Sequence, residues 1–135
     1  TDMGLVKERS KEIQDKGFSA QKWFFRYGPA DGAEGLEKNV DLVRTLRETL
    51  GTQNDIMLDC WQSFDVNYTL KLTERIEEFS PRWIEECLMP DRIESHLRIK
   101  EKTKIPLQQN QSFLEVHLFH AFPPLCRFRL LTHLR

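Results

Sequence analysis

Two acidic residues, Asp59 and Glu85, are the main candidates for a functional site in this sequence. Each ends a short apolar run, and the two lie 26 residues apart. A further 26 residues along the chain stands Gln111, shortly after another apolar start at Ile105. The recurrence predicts successive strand–helix units that bring these side chains to one end of a parallel sheet, because the carboxyl ends of such strands form the site. Carboxylates gathered there could bind a hard divalent cation such as Mg²⁺.

Each carboxylate also has a simpler interpretation. An acid at a strand end can cap the following helix or pair with a lysine or arginine. Because successive side chains of a strand face opposite sides, only one of the neighbours Glu85 and Glu86 can easily face a shared site. The matched positions and equal intervals favour a cation site, and structural ion pairs stay open as the alternative. At Gln111 an amide would replace the third carboxylate, and an amide oxygen brings no charge.

The elements that would position these residues alternate along the chain. Apolar residues at three- and four-residue steps predict helices, and short apolar or aromatic runs bounded by Gly or Pro predict strands. The predicted helices cover about residues 3–16, 36–50, 65–79 and 90–97. The predicted strands cover residues 18–25, 55–59 and 83–87, and a fourth begins at 105–107.

This alternation predicts an α/β fold with a parallel sheet and helices outside, built from about four right-handed strand–helix units. The aromatic group Trp23, Phe24 and Phe25 predicts that the first strand is buried. From about residue 108 the sequence changes to an irregular tail, so the predicted division is a domain at 1–107 and a tail at 108–135. The tail has three interpretations. It is a C-terminal extension, an amphipathic arm that binds a partner or a membrane, or sequence translated after the coding frame is lost. Pro123 and Pro124 disfavour the amphipathic arm, because they interrupt a helix.

Composition excludes several function classes. The 135 residues, 39% hydrophobic and 30% charged, suit about one domain, and apolar stretches fall far short of the roughly 18 residues that span a bilayer. The opening has no signal-peptide pattern, so an intracellular, cytoplasmic protein without membrane attachment is expected. A net charge of −1 gives no general attraction to nucleic acid. The three cysteines (Cys60, Cys87 and Cys126) have no CxxC spacing, so we interpret them as buried spectators rather than as disulfide or zinc ligands.

Four segments carry a family resemblance. Residues 17–22, 57–68, 71–72 and 82–90 resemble the enolase superfamily, and within it the mandelate racemase subgroup and its acid-sugar dehydratases of the rhamnonate type. The resemblance runs from about residue 4 to about 107. It implies a partial (β/α) barrel of the TIM type, in which three carboxylates at the strand ends bind one Mg²⁺. Asp59 and Glu85 fall on the first two ligand positions, and Gln111 falls on the third, where the family has glutamate.

The implied reaction begins when a base removes the proton next to the carboxylate of a sugar acid, and loss of water then gives a 2-keto-3-deoxy acid. Many members carry a Lys-x-Lys motif on the second barrel strand, and this chain reads Lys22-Trp23-Phe24. Lys22 could polarise the substrate carboxylate, or it is an exposed or ion-paired lysine. Phe24 cannot accept a proton, so a base on that side is absent and a racemase, which needs two opposed bases, is disfavoured. The four histidines are interpreted as incidental.

The resemblance also predicts incompleteness. A full barrel takes about 250 residues, so we expect a fragment of a Mg²⁺-dependent acid-sugar dehydratase that is inactive alone and binds Mg²⁺ weakly. Its unpaired sheet edges favour self-association. The alternative is a non-catalytic remnant or protein-interaction module.

Overall fold

The computed structural model describes residues 2–109, which form four helices around a four-stranded sheet. The helices are α1 (Met3–Asp15), α2 (Gly32–Leu50), α3 (Val66–Ile76) and α4 (Ile93–Lys102). The strands are β1 (Ala20–Phe24), β2 (Asp55–Asp59), β3 (Trp83–Glu85) and β4 (Leu107–Gln108). Short 3₁₀ turns at Pro29–Asp31 and Glu77–Phe79 adjoin α2 and α3.

The sheet is entirely parallel, and its spatial order β1-β2-β3-β4 follows the chain. A helix connects each strand to the next, so the predicted series of strand–helix units is confirmed. The register sets the last residues of three strands side by side, since Phe24 pairs with Asp59 and Asp59 with Glu85. Gln108 of β4 continues this row as the partner of Glu85.

Helix boundaries follow from capping and apolar spacing. The Asp65 side chain accepts a hydrogen bond from the backbone N–H of Tyr68 at 2.8 Å and so begins α3, as its N-cap position predicts. Gly51 ends α2 with a positive φ of 71°, a conformation that favours glycine. Every third or fourth residue of α2 is buried against the sheet (Val40, Val43, Leu46 and Leu50).

The core lies between the helices and one face of the sheet. Ile56, Leu58 and Ile84 alternate with the site-facing residues of β2 and β3, and all three are fully buried. They form one apolar cluster with residues of every helix. Because side chains alternate, the opposite face carries Lys22, Met57, Trp83 and the carboxylates.

One arginine, Arg47, connects two loops at the amino-terminal end of the sheet through hydrogen bonds. The Arg47 guanidinium donates hydrogen bonds of 2.7 to 3.0 Å to backbone carbonyl oxygens in two loops. The acceptors are Gly51, Asn54, Phe79 and Ser80. Arg47 therefore joins the loop before β2 to the loop before β3.

Some sequence expectations were wrong in detail. The first strand is not buried as a whole, since Phe18 is 59% and Phe24 49% exposed. Alternation turns Phe24 to the face opposite the four described helices. The strand predicted at 83–87 ends at Glu85, where the backbone turns at Glu86. On α4 the buried apolar residue is Ile99, whereas Leu97 is exposed.

Of the predicted tail, the described range includes only residues 108 and 109. β4 includes Gln108, so the sheet continues just past the predicted boundary at residue 107. The remaining tail and the residues in it, Gln111 among them, lie outside the described range. No helix within residues 2–109 is long and apolar enough to cross a membrane.

Candidate functional site

Three residues singled out by the sequence meet at the carboxyl end of the sheet. β2 ends at Asp59 and β3 at Glu85, and Lys22 lies on β1, two residues before the register partner of Asp59. The Lys22 Nζ is 3.0 Å from Asp59 Oδ2 and 2.9 Å from Glu85 Oε1. A single ammonium group therefore bridges the two carboxylates.

The other oxygen of each carboxylate is also held. Asp59 Oδ1 accepts a hydrogen bond from the backbone N–H of Trp61 at 3.0 Å. Glu85 Oε2 accepts one from the indole Nε1 of Trp83 at 3.0 Å. Asp59 is buried, and the Glu85 side chain is 19% exposed. Both side chains are therefore oriented before any ligand arrives, and Lys22 supplies the neutralising charge.

The electrostatics of this cluster keep the lysine charged. Hydrogen bonds from Lys22 to Glu85 and then to Asp59 raise the pKa of its ammonium above the ordinary value. Two carboxylates and one ammonium leave a net charge of about −1 at neutral pH. The Lys22 ammonium also lies 5.5 Å from the ring centroid of Phe24. The site therefore has an excess of negative charge and oxygen donors, which attracts a cation.

Glu86 behaves differently from its neighbour. Its Oε2 lies 3.5 Å from Nε2 of Gln62 and takes no part in the hydrogen bonds of Lys22. Glu86 has a φ of 51°, which turns the chain out of the strand. Of the two adjacent glutamates, Glu85 alone bonds to Lys22, which agrees with the expectation from strand alternation.

The backbone turns sharply after both carboxylates. Trp61 and Gln62, just after Asp59, have φ values of 52° and 58°, and Glu86 follows Glu85 with a similar value. Such left-handed conformations cost non-glycine residues about 1–3 kcal/mol each. The Gln62 N–H donates to the carbonyl of Glu86 at 2.6 Å, which ties the two turns together. Nothing in the residue types signals these turns, because none of the three is glycine.

The cluster fits Mg²⁺ in ligand chemistry but supplies only part of a ligand set. Asp59 Oδ2 and Glu85 Oε1 already share one positively charged group, and Mg²⁺ prefers oxygen donors of this kind. Within residues 2–109 no group of three or more His, Cys, Asp or Glu residues could hold a metal ion. Gln111, the predicted third ligand, lies outside that range, three residues past Gln108, the register partner of Glu85.

Two cysteines follow the carboxylates closely in sequence. Cys60 and Cys87 are both buried, as predicted, and neither forms a disulfide. Their Sγ atoms lie 3.5 Å apart, a proximity that the sequence did not indicate because it arises from the register of β2 and β3. Burial, and then contact with Cys87, raise the pKa of the Cys60 thiol well above its ordinary value.

Comparison with known proteins places this geometry in a family. A family model described as "Enolase C-terminal domain-like" matches residues 5–123, most of the chain. The chain belongs to this enolase C-terminal domain-like family. Its four parallel strand–helix units are therefore part of an enolase-type TIM barrel, and the resemblance inferred from the sequence is confirmed.

Individual relatives share the fold and part of the sequence. L-rhamnonate dehydratase from Saccharopolyspora erythraea is 38% identical over 83 residues, covering 62% of this chain and 21% of its own length. The structure of rhamnonate dehydratase from Gibberella zeae complexed with Mg is 34% identical, with a TM-score of 0.68, over 73% of this chain and 24% of that one.

A second solved structure is that of a racemase. A racemase from Streptomyces coelicolor A3(2) with bound magnesium is 25% identical, with a TM-score of 0.70, over 81% of this chain and 29% of that one. The enolase-family chain thus spans between about a fifth and a third of the length of these three relatives. The activities of whole relatives therefore come to this chain only as proposals.

Proposed function

We propose that this chain carries part of the active site of a Mg²⁺-dependent acid-sugar dehydratase. Asp59 and Glu85 would be two of the metal ligands, and Lys22 would contact the carboxylate of the substrate. The observation that carries the proposal is the single ammonium shared by Asp59 Oδ2 and Glu85 Oε1 at the carboxyl end of the sheet. A bound cation would take over the charge balance that Lys22 provides, and Lys22 would then be free to bind an anion.

The roles follow from the contacts. Mg²⁺, when bound, supplies a Lewis acid that stabilises negative charge on the substrate carboxylate as the neighbouring carbon loses its proton. The Trp61 N–H and the Trp83 indole keep the carboxylates of Asp59 and Glu85 aimed at one point. The Lys22 ammonium would donate hydrogen bonds to an oxygen of the substrate carboxylate. Phe24 holds no basic atom, so β1 supplies no second lysine as general base.

The sugar-acid assignment is supported by the relatives named rhamnonate dehydratase, which are more similar in sequence than the racemase. Gln111 is proposed as a third, uncharged ligand. One carboxylate fewer in the ligand set lowers the charge that holds the cation, so Mg²⁺ binding should be weak. With two carboxylates and no base on β1, we propose that the chain by itself forms no product.

Two glutamates in adjacent positions provide a matched test. Glu85→Gln and Glu86→Gln remove the same charge one residue apart, and only Glu85 bonds to Lys22. Calorimetric titration with Mg²⁺ should show binding that Glu85→Gln abolishes and that Glu86→Gln leaves within about twofold. Equal losses in both variants would mean that a diffuse negative field, rather than a defined site, attracts the cation.

Turnover is tested separately. Incubation of the chain with Mg²⁺ and a panel of sugar acids should give no 2-keto-3-deoxy acid above a protein-free control. Product formation that Lys22→Met or Asp59→Asn removes would show that this chain has its own general base, and the proposal of catalytic incompleteness would be wrong.

A second candidate function is that of an interaction module. Within residues 2–109 no helix covers the face of the sheet that carries the site, and Trp61 is 70% exposed, with its ring centroid 5.9 Å from that of Phe24. Among the described strands, β1 and β4 are the outer ones, and each offers an edge of backbone groups that another strand could bind. Sedimentation at increasing concentration tests this function, because a chain that stays monomeric throughout would argue against self-association.

A further inference from the structure

Cys60 and Cys87 form a buried pair to which the proposed chemistry gives no role. Cys60 follows the last residue of β2, and Cys87 lies two residues after the last residue of β3. Their exposures are 1% and 4%, and their sulfur atoms lie 3.5 Å apart. Two thiols that follow neighbouring parallel strands, 27 positions apart in sequence, are thus in direct contact.

The backbone around the pair is held on both sides. The Cys60 N–H donates to the carbonyl of Glu85 at 3.0 Å, and the Phe64 N–H donates to the carbonyl of Cys87 at 3.1 Å. A disulfide has a sulfur–sulfur bond of about 2.05 Å, so the two sulfurs need to approach by about 1.5 Å. We expect rotation of the two side chains and a small shift of the turns to supply this approach.

A thiolate metal site fits this place less well. Structural zinc needs about four Cys or His ligands. Within residues 2–109 no cluster of three or more such ligands or carboxylates suits a metal ion. The pair has the proximity for a covalent bond but lacks the ligand number for a closed metal site.

We propose that Cys60 and Cys87 are a redox site that forms an intramolecular disulfide with a peroxide as oxidant. One thiol attacks the peroxide O–O bond, becomes a sulfenic acid and releases water or an alcohol. The second thiol attacks that sulfenic sulfur, the S–S bond forms, and a second molecule leaves as water. The two sulfurs together lose two electrons, and the peroxide is reduced by the same two electrons.

The bond would tie the turn after β2 to the turn after β3. Closing a loop between these positions reduces the conformational freedom of the unfolded chain, so the oxidised protein should melt at a higher temperature. Because both sulfurs are buried, peroxide reaches them slowly, and oxidation should take longer than that of an exposed cysteine.

The test uses the full chain with Cys126→Ser, which leaves only the proposed pair, and a metal chelator in the buffer. After hydrogen peroxide treatment, free thiols are alkylated and the protein is digested with trypsin. The expected product is peptide 48–71 joined to peptide 83–92 within one chain, with a mass loss of two hydrogen atoms and no covalent dimer on a non-reducing gel. Dithiothreitol should separate the peptides and reverse the rise in melting temperature.

Three results would overturn the proposal. In the first, both cysteine peptides are still recovered in alkylated form after prolonged treatment. In the second, either cysteine is converted to sulfinic acid and no disulfide forms. In the third, the disulfide links two chains. Cys87→Ser in the same background is the control, in which no linked peptide and no peroxide-dependent rise in melting temperature should appear. If that variant does not fold, melting of the Cys126→Ser protein before and after dithiothreitol decides the question alone.

Discussion

Replacement of Lys22 by methionine removes the charge that the two carboxylates share. Asp59 Oδ2 and Glu85 Oε1 lie 3.0 and 2.9 Å from the Lys22 Nζ, so they are at most about 6 Å from each other. At an effective dielectric constant of about 20, two like charges about 5 Å apart repel by about 3 kcal/mol. Solvent reaches the site and screens this repulsion, so we expect Lys22→Met to lower the free energy of unfolding by about 1–3 kcal/mol without Mg²⁺.

The same change should strengthen Mg²⁺ binding. At a separation of about 4 Å, a divalent cation and an ammonium group repel each other by about 2 kcal/mol even at the dielectric constant of water. Salt screening lowers the gain to about 1–2 kcal/mol, which corresponds to a dissociation constant lower by about fivefold to thirtyfold. Calorimetric titration with Mg²⁺ measures this constant directly.

Lys38 provides the matched control for this experiment. It also pairs with a carboxylate, that of Glu34 on α2, and its side chain is 41% exposed against 40% for Lys22. Lys38→Met should therefore leave Mg²⁺ affinity within about twofold of the wild type. A Lys22→Met variant that binds Mg²⁺ no more tightly than the wild type, or a Lys38→Met variant that gains as much affinity, would show that Lys22 does not compete with the cation.

Three further predictions concern the scaffold. Arg47→Met should lower the free energy of unfolding by about 2–4 kcal/mol, measured by urea denaturation, because it leaves four backbone carbonyls without their charged donor; a loss below about 0.5 kcal/mol would contradict this role. Leu46→Ala should cost about 2–5 kcal/mol in the same assay, because Leu46 is fully buried. Burial lowers the pKa of His96 in the folded chain below its ordinary 6.5. As the pH drops below about 6.5, the unfolded chain therefore takes up the proton before the folded chain does, and the free energy of unfolding falls. His96→Gln should make thermal stability less dependent on pH between 6.5 and 5, and an unchanged slope would contradict the assignment.

The sequence predicted best what depends on local pattern. The bounds of β2 agree with the predicted 55–59, and Asp65 caps α3, because an apolar run and a capping side chain are local signals. The carboxylates were found for a similar reason, since each closes an apolar run. Family resemblance then separated Glu85 from Glu86, which residue types alone leave open.

The sequence could not predict what depends on register between strands. Lys22 contacts a residue of another strand, and Cys60 contacts a cysteine that follows another strand. No spacing within one segment encodes these contacts. The exposure of Phe24 was mispredicted because an aromatic run indicates burial on average and does not show which face the helices cover. The left-handed turn at Trp61 is also invisible, because tertiary contacts rather than residue preference hold it.

Binding of a divalent cation by Asp59 and Glu85 can be located by paramagnetic broadening with Mn²⁺. Mn²⁺ takes oxygen ligands as Mg²⁺ does, and it broadens the amide resonances of nearby residues in an isotope-labelled chain. We expect the amides of Asp59, Trp61 and Glu85 to broaden first, Mg²⁺ to reverse the effect, and Asp59→Asn to abolish it. Broadening centred instead on the groove lined by Glu74 and Glu77, or broadening unchanged by Asp59→Asn, would contradict binding by Asp59 and Glu85.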